Sequence, residues 1–147
     1  YVKPAVLEKL IEMADRNREM AATRRARAEQ ARARASGTLD SLEQYRQSHR
    51  DNRRAALGSL PGATGLAVHV RFGGKLDEAI EAQREQCQNL ERSVDARSDE
   101  LRKAHARLQA LRALEQRRER ARRRREDAAE QHAQDDLVSG RHPRART

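Results

Sequence analysis

The chain has 147 residues with 37% charged side chains, 36% hydrophobic and only 2% aromatic. That composition excludes a thick globular core, and with heptad spacing it is the profile of a long helix or coiled coil. The net charge of +9 is nearly all arginine, which points to a nucleic acid, a membrane surface or an acidic protein as partner.

The chain opens with Tyr1 and not Met, which leaves room for native residues ahead of it. Pro4 suits the first turn of a helix, where its missing N–H costs nothing. From Ala5 to about Leu57 only Gly37 interrupts good helix formers, at about 1 kcal/mol relative to alanine. Ser36-Gly37 is a candidate bend. A helix over this span runs about 75 Å. Its small and apolar residues fall in a 3-4 spacing: Leu7, Leu10, Ala14, Asn17, Ala21, Arg24, Ala28, Ala31, Ala35, Thr38, Leu42, Tyr45, His49, Asn52 and Ala56. An average spacing of 3.5 is the seam of a left-handed coiled coil.

Gly58, Pro61, Gly62 and Gly65 then break the pattern. Leu66, Val68, Val70 and Phe72 alternate with Ala67, His69 and Arg71 like a strand, but no partner strand exists elsewhere. The segment is therefore expected to be a loop, with residues 58–74 as the turn. A second helix is expected over 75–136, with its stripe at Leu76, Ile80, Gln83, Cys87, Leu90, Val94, Arg97, Leu101, Ala104, Leu108 and Leu111. Residues 137–147 read as a disordered basic tail. The fold class is all-α: a single-domain, long antiparallel two-helix coiled-coil hairpin.

If that hairpin folds about residue 65, facing residue numbers add to roughly 130. The alanines of the first helix then face Val94 to Leu111, small against large. Leu7 and Leu10 face Arg120 to Arg123. An apolar stripe against arginines either needs a partner to complete it or is covered by arginine stems.

Chemistry is sparse. The lone Cys87 permits no internal disulfide and no cysteine-rich metal site. The five histidines are scattered and form no HExxH, and His49 reads as a half-buried seam residue and not as a ligand. No phosphate loop, dinucleotide fingerprint or nucleophile elbow occurs. Carboxylate pairs such as Asp135-Asp136 sit on solvated faces, with little burial to shift their pKa. No enzyme activity, cofactor or metal is expected. No secretory signal or membrane span is visible, because Glu8, Lys9 and Glu12 break the first apolar cluster.

Arginines crowd between Arg112 and Arg125, with Glu115 and Glu119 the only acids there, while Asp77 to Glu100 is net acidic. A basic helix continuing a coiled coil has the layout of zipper transcription factors. Base-reading and stacking residues are missing from it, so no specific nucleic acid is expected. Leu42 and Tyr45 should neighbour Phe72, Leu76, Ala79 and Ile80, either as a plug closing the turn or as an exposed contact patch.

Three segments carry a family resemblance: Leu42-Glu-Gln-Tyr45-Arg-Gln-Ser-His-Arg50-Asp-Asn52, Phe72-Gly-Gly-Lys-Leu76-Asp-Glu-Ala-Ile80-Glu-Ala-Gln83-Arg84, and Ala106-Arg-Leu-Gln-Ala-Leu-Arg-Ala-Leu114-Glu. Together with the length and the central break, they resemble the FliJ family of flagellar export proteins, a stalk family of type III secretion. The resemblance covers essentially the whole chain. It implies a stalk whose open end, with both termini, enters the hexameric flagellar export ATPase and promotes its assembly and activity. It further implies coupling to the membrane export gate, handling of export chaperones, and a place in the bacterial cytoplasm, peripheral at the inner membrane. The gate contacts implied are Leu42, Tyr45, Phe72, Leu76 and Ala79. The ATPase contacts implied are Leu7, Leu10, Ile11, Arg117, Arg118, Arg122, Arg123, Arg124 and Arg125. His49 and Gln83 depart from the aromatic or larger contacts expected in the family. A nucleic-acid-binding coiled coil and a self-associating scaffold are the alternative readings.

Overall fold

A computed structural model describes residues 2–57 and 62–141. Two helices account for nearly all of them: α1 over Pro4–Leu57, 54 residues, and α2 over Ala63–Arg141, 79 residues. The Lys3 carbonyl accepts the first helical bonds, from the N–H groups of Val6 and Leu7 at 3.0 Å each. The Gly62 carbonyl does the same for Leu66 at 3.2 Å. α1 runs through Gly37, where an added Cβ would meet open space.

The helices pair antiparallel as a hairpin, and the chain divides into two compact units. One comprises residues 1–18 and 104–147, the other residues 19–103. In the first, Leu7, Ala14 and Leu108 are buried; in the second, Ala21, Ala35, Leu76 and Ile80 are. No polar or charged side chain among the described residues is fully buried. The apolar seam is one side chain deep, and longer polar side chains flank it.

Three differences from the expected hairpin share one origin. First, α2 begins at Ala63, not at Lys75, so residues 63–74 are helix and not turn. Second, facing residue numbers add to between 118, for Ala35 with Gln83, and 127, for Asp15 with Arg112, not to 130. The earlier start of α2 goes with the lower sum. Third, α2 continues through Leu137 to Arg141, where a disordered tail was expected. In each case residues that look irregular alone are carried by continuation of a helix already formed, since propagation is far easier than nucleation. The breaker residues Gly58 to Pro61 and the tail residues 142–147 lie outside the described residues.

The α2 stripe is as expected, with every member from Leu76 to Leu111 buried or half-buried. Of the fifteen α1 stripe positions ten are, Leu10 and Ala31 among them. Leu7, Ala14, Ala21, Ala28, Ala35, Leu42, His49 and Ala56 recur every seventh residue and all are at least half-buried. Between them the half-buried positions include Ile11, Arg18, Arg32, Leu39 and Arg46, whereas Asn17, Arg24, Thr38, Tyr45 and Asn52 are exposed. The second strip of the seam therefore lies one residue further on, where arginine stems can lie against the partner helix and keep their heads in water.

Two substitutions test this fold. Val70→Pro should cost about 3 kcal/mol in urea unfolding followed by circular dichroism, because it removes a helical bond inside α2; a loop at that position would tolerate it. Gly37→Ala should stabilise α1 by about 1 kcal/mol in the same measurement.

Candidate functional surfaces

In the unit that holds both ends of the chain, α1 supplies Pro4 and Leu7 and α2 supplies charged residues at seam spacing. Together Pro4, Leu7, Glu115, Arg118, Glu119, Arg122, Arg125, Glu126 and Ala129 line a cleft of about 620 Å³. Leu7 is only 3% exposed, so the chain itself covers it, and Arg118, Arg122 and Arg125 line the cleft beside it. Leu10 and Ile11 are half-buried. Arg118 donates to the Val2 carbonyl, and Arg112 reaches Asp15 across the helices at 4.0 Å.

The arginine block divides by what each guanidinium meets. Arg122 pairs at 2.6 Å with both Glu119, one turn before it, and Glu126, one turn after it. Arg123 also reaches Glu119, at 3.3 Å. These pairs hold the Glu119 carboxyl below its ordinary pKa, chiefly through the hydrogen bond from Arg122 and against an opposing cost of desolvation. Arg122 is held above its own, mainly by Glu119. Arg124 and Arg125 donate only to main-chain carbonyls, those of Arg120 and Ala121 at 3.4 Å. Arg117 and Arg120 meet no acid among the described residues. Arg117, Arg120 and Arg124 follow the i, i+3, i+7 spacing of one helix face. That face points away from the seam positions Leu108, Leu111 and Arg118. A run of arginines looks uniform in sequence; the glutamates one turn away distinguish Arg122 and Arg123 from Arg120.

In the other unit, polar side chains flank the alanine seam on both sides. Arg25 Nε donates to Ser98 Oγ at 3.0 Å, and Gln83 Nε2 to the Ala35 carbonyl at 3.0 Å. Arg46 meets Asp77 at 3.8 Å and Arg84 meets Glu43 at 3.4 Å. Arg32 pairs with Glu29 at 2.6 Å and keeps that carboxyl, too, below its usual pKa. Exposed pairs of this kind contribute little each and serve mainly to fix alignment.

The residues expected at the gate contact differ in exposure. Tyr45 is 67% exposed, Phe72 54%, and Ala79 is exposed as well. Leu42 is half-buried, and Leu76, at 8%, belongs to the seam. The sequence missed Leu66, Val68 and Val70, which are exposed apolar residues on the first turns of α2. Alternating apolar residues wound into a helix spread to both sides of the seam and cannot all be buried. The structure also joins two histidines that are far apart in sequence: the His49 ring lies 5.6 Å from that of His69 and 5.1 Å from that of Phe72.

Among the described residues, no helix is long and apolar enough to cross a membrane, and no three metal-ligating side chains cluster. Comparison with protein families matches residues 3–147 to the family described as Flagellar FliJ protein. Comparison with individually curated proteins gives no match. The family match spans nearly the whole chain, so the chain belongs to the flagellar FliJ family and is a component of the flagellar export apparatus.

A carboxyl whose pKa is lowered on folding contributes stability above its unfolded pKa, and that contribution is lost as pH falls through the folded value. Carboxyl NMR should therefore show Glu119 and Glu29 titrating below glutamates in unfolded peptides of the same local sequence. Arg122→Gln should return Glu119 toward the ordinary value and leave Glu29 unmoved.

Proposed function

Taking family membership as the premise, we propose that this chain is the stalk of the hexameric flagellar export ATPase. The unit holding both termini enters the ring and promotes its assembly and activity. The unit holding the turn engages the membrane export gate and handles export chaperones, at the cytoplasmic face of the inner membrane. The observation that carries the reading is the unequal distribution of available groups. Seven arginines crowd into residues 117–125 of the first unit, and the exposed Tyr45 and Phe72 belong to the second.

The action is mechanical and allosteric, with no catalytic residue and no bound nucleotide. A stalk without six-fold symmetry meets each ATPase subunit differently, so its binding free energy is distributed unequally over the ring. That difference favours ring assembly and biases which subunit hydrolyses ATP, a coupling between two binding equilibria. Arginine suits such a contact because its planar, always charged head pairs with carboxylates in several orientations.

The ATPase contact is assigned to Arg117, Arg124 and Arg125, joined by Arg120. Arg118, Arg122 and Arg123 are engaged within the chain and support the contact from behind, with Leu7, Leu10 and Ile11 beneath. The gate contact is assigned to Tyr45, Phe72 and Ala79. Leu76 and Leu42 hold the helices together under that patch.

ATPase activity of the cognate export ATPase, measured with and without the chain, tests the reading. Several-fold stimulation is expected, and an unchanged rate with no binding would refute it. Glutamate at Arg117, Arg120 and Arg124 should weaken ATPase binding by about tenfold per residue, the size of one charge-assisted hydrogen bond. Gln at Arg122 and Arg123 should change it little. Tyr45→Ala should weaken gate binding at unchanged stability, Phe72→Ala should weaken it with a small loss of stability from the His49 contact, and Leu76→Ala should cost about 2–5 kcal/mol of stability.

A further inference from the structure

The contact between His49 and His69 has a geometry that helix packing alone does not require. His49 occupies one of the every-seventh positions of the α1 seam, otherwise held by alanine or leucine. Its ring fits because α2 presents Gly73 there: an added Cβ at Gly73 would stand 3.1 Å from His49 Cε1. Phe72 packs on the same ring, with centroids 5.1 Å apart. His49 Nε2 is buried and has no hydrogen-bond partner, and no other described side-chain N or O atom is in that state. An orphaned buried polar atom costs about 1–3 kcal/mol, and a water or an ion is the common remedy.

The spacing to His69 has room for an ion bridging the two rings. A metal–nitrogen bond of about 2.0–2.1 Å, with about 1.1 Å more from the nitrogen to the ring centre, puts each centroid roughly 3.2 Å from the metal. A tetrahedral angle at the metal then separates the two centroids by about 5.2 Å, and a wider angle by about 5.5 Å. The observed separation is 5.6 Å, with the rings tilted by 40°.

We propose that His49 and His69 form a two-imidazole site for a divalent transition metal, with zinc as the reference ion, that clamps α1 to α2 beside Phe72. Neutral imidazole selects zinc, nickel and copper over magnesium and calcium. No third protein ligand is at hand among the described residues, so water completes the coordination. Such a site is open, unlike the four-ligand sites that hold small domains together. One ligand comes from each helix. The metal therefore binds the paired helices and not the unfolded chain, and it stabilises the pairing in proportion to its occupancy. The proposal stands independently of the stalk reading.

Zinc titration of the metal-free full-length chain, by calorimetry and by thermal melting, tests it. One saturable site is expected, with a melting midpoint raised by zinc and unmoved by magnesium. Imidazole nitrogen NMR should show His49 and His69 shifting together on zinc addition. His69→Gln should abolish the site and the rise in midpoint, and the exposed His105→Gln and His132→Gln should retain both. Should His49→Gln fail to fold, His69→Gln and the NMR of the unaltered chain still decide. No saturable zinc binding by the unaltered chain, binding that survives His69→Gln, or shifts at histidines other than this pair would each overturn the proposal.

Discussion

Everything in this protein depends on a seam in which α1 gives alanine where a coiled coil ordinarily has leucine. Ala14, Ala21, Ala28 and Ala35 recur every seventh residue, and Leu76, Ile80 and Leu108 of α2 supply the bulk. Small residues on one side bring the backbones close, but each contributes little apolar area, about 25 cal/mol per Å² removed from water. The flanking positions must therefore help to cover the contact, and their occupants are long and polar. Gln83 bonding the Ala35 carbonyl is one consequence: a side chain comes near enough to use a main-chain acceptor of the opposite helix.

Arginine serves three distinct physical purposes under this constraint. At Arg18, Arg32 and Arg46 its stem lies half-buried against the seam while its head stays with an acid. At Arg122 and Arg123 the head is satisfied by glutamates one helical turn away, which keeps a crowded block of positive charge compatible with a stable helix. At Arg117, Arg120 and Arg124 neither applies, and those groups face water. The net charge of +9 is thus a poor guide to the charge available to a partner.

How far the sequence could be read follows from the same features. The α2 stripe was legible because its large apolar residues mark the seam without ambiguity. The second strip of α1 was not. Periodicity scoring prefers Thr38 and Tyr45 to Arg46, although stem packing makes the arginine the better seam residue. The start of α2 was misplaced because Leu66, Val68, Val70 and Phe72 alternate, and Gly73-Gly74 looks like an interruption. Neither overrides a helix propagating on both sides. That displacement concealed the histidine contact as well: His69 in a loop has no fixed neighbour, whereas in α2 it lies against His49 of α1. Among the residues expected at the gate contact, Tyr45, Phe72 and Ala79 could be read from sequence either as a plug or as surface, and they are exposed. Leu76 was grouped with them by its closeness to the turn and by the family resemblance, although its place in the 3-4 stripe already assigned it to the seam.

Leu76 also shows why seam and surface are hard to separate in a two-helix protein. With a seam one side chain deep, a residue that packs the helices together stands one position away from residues that meet a partner. Phe72 precedes Leu76 by one turn and is 54% exposed, against 8% for Leu76. Loss of a partner contact after a substitution in this region is therefore ambiguous unless helix pairing is measured on the same variant. The ambiguity is physical and not experimental, because any force that shifts α2 against α1 at Leu76 also moves the surface that carries Phe72. A load on Phe72 is therefore also a load on the seam one turn away at Leu76.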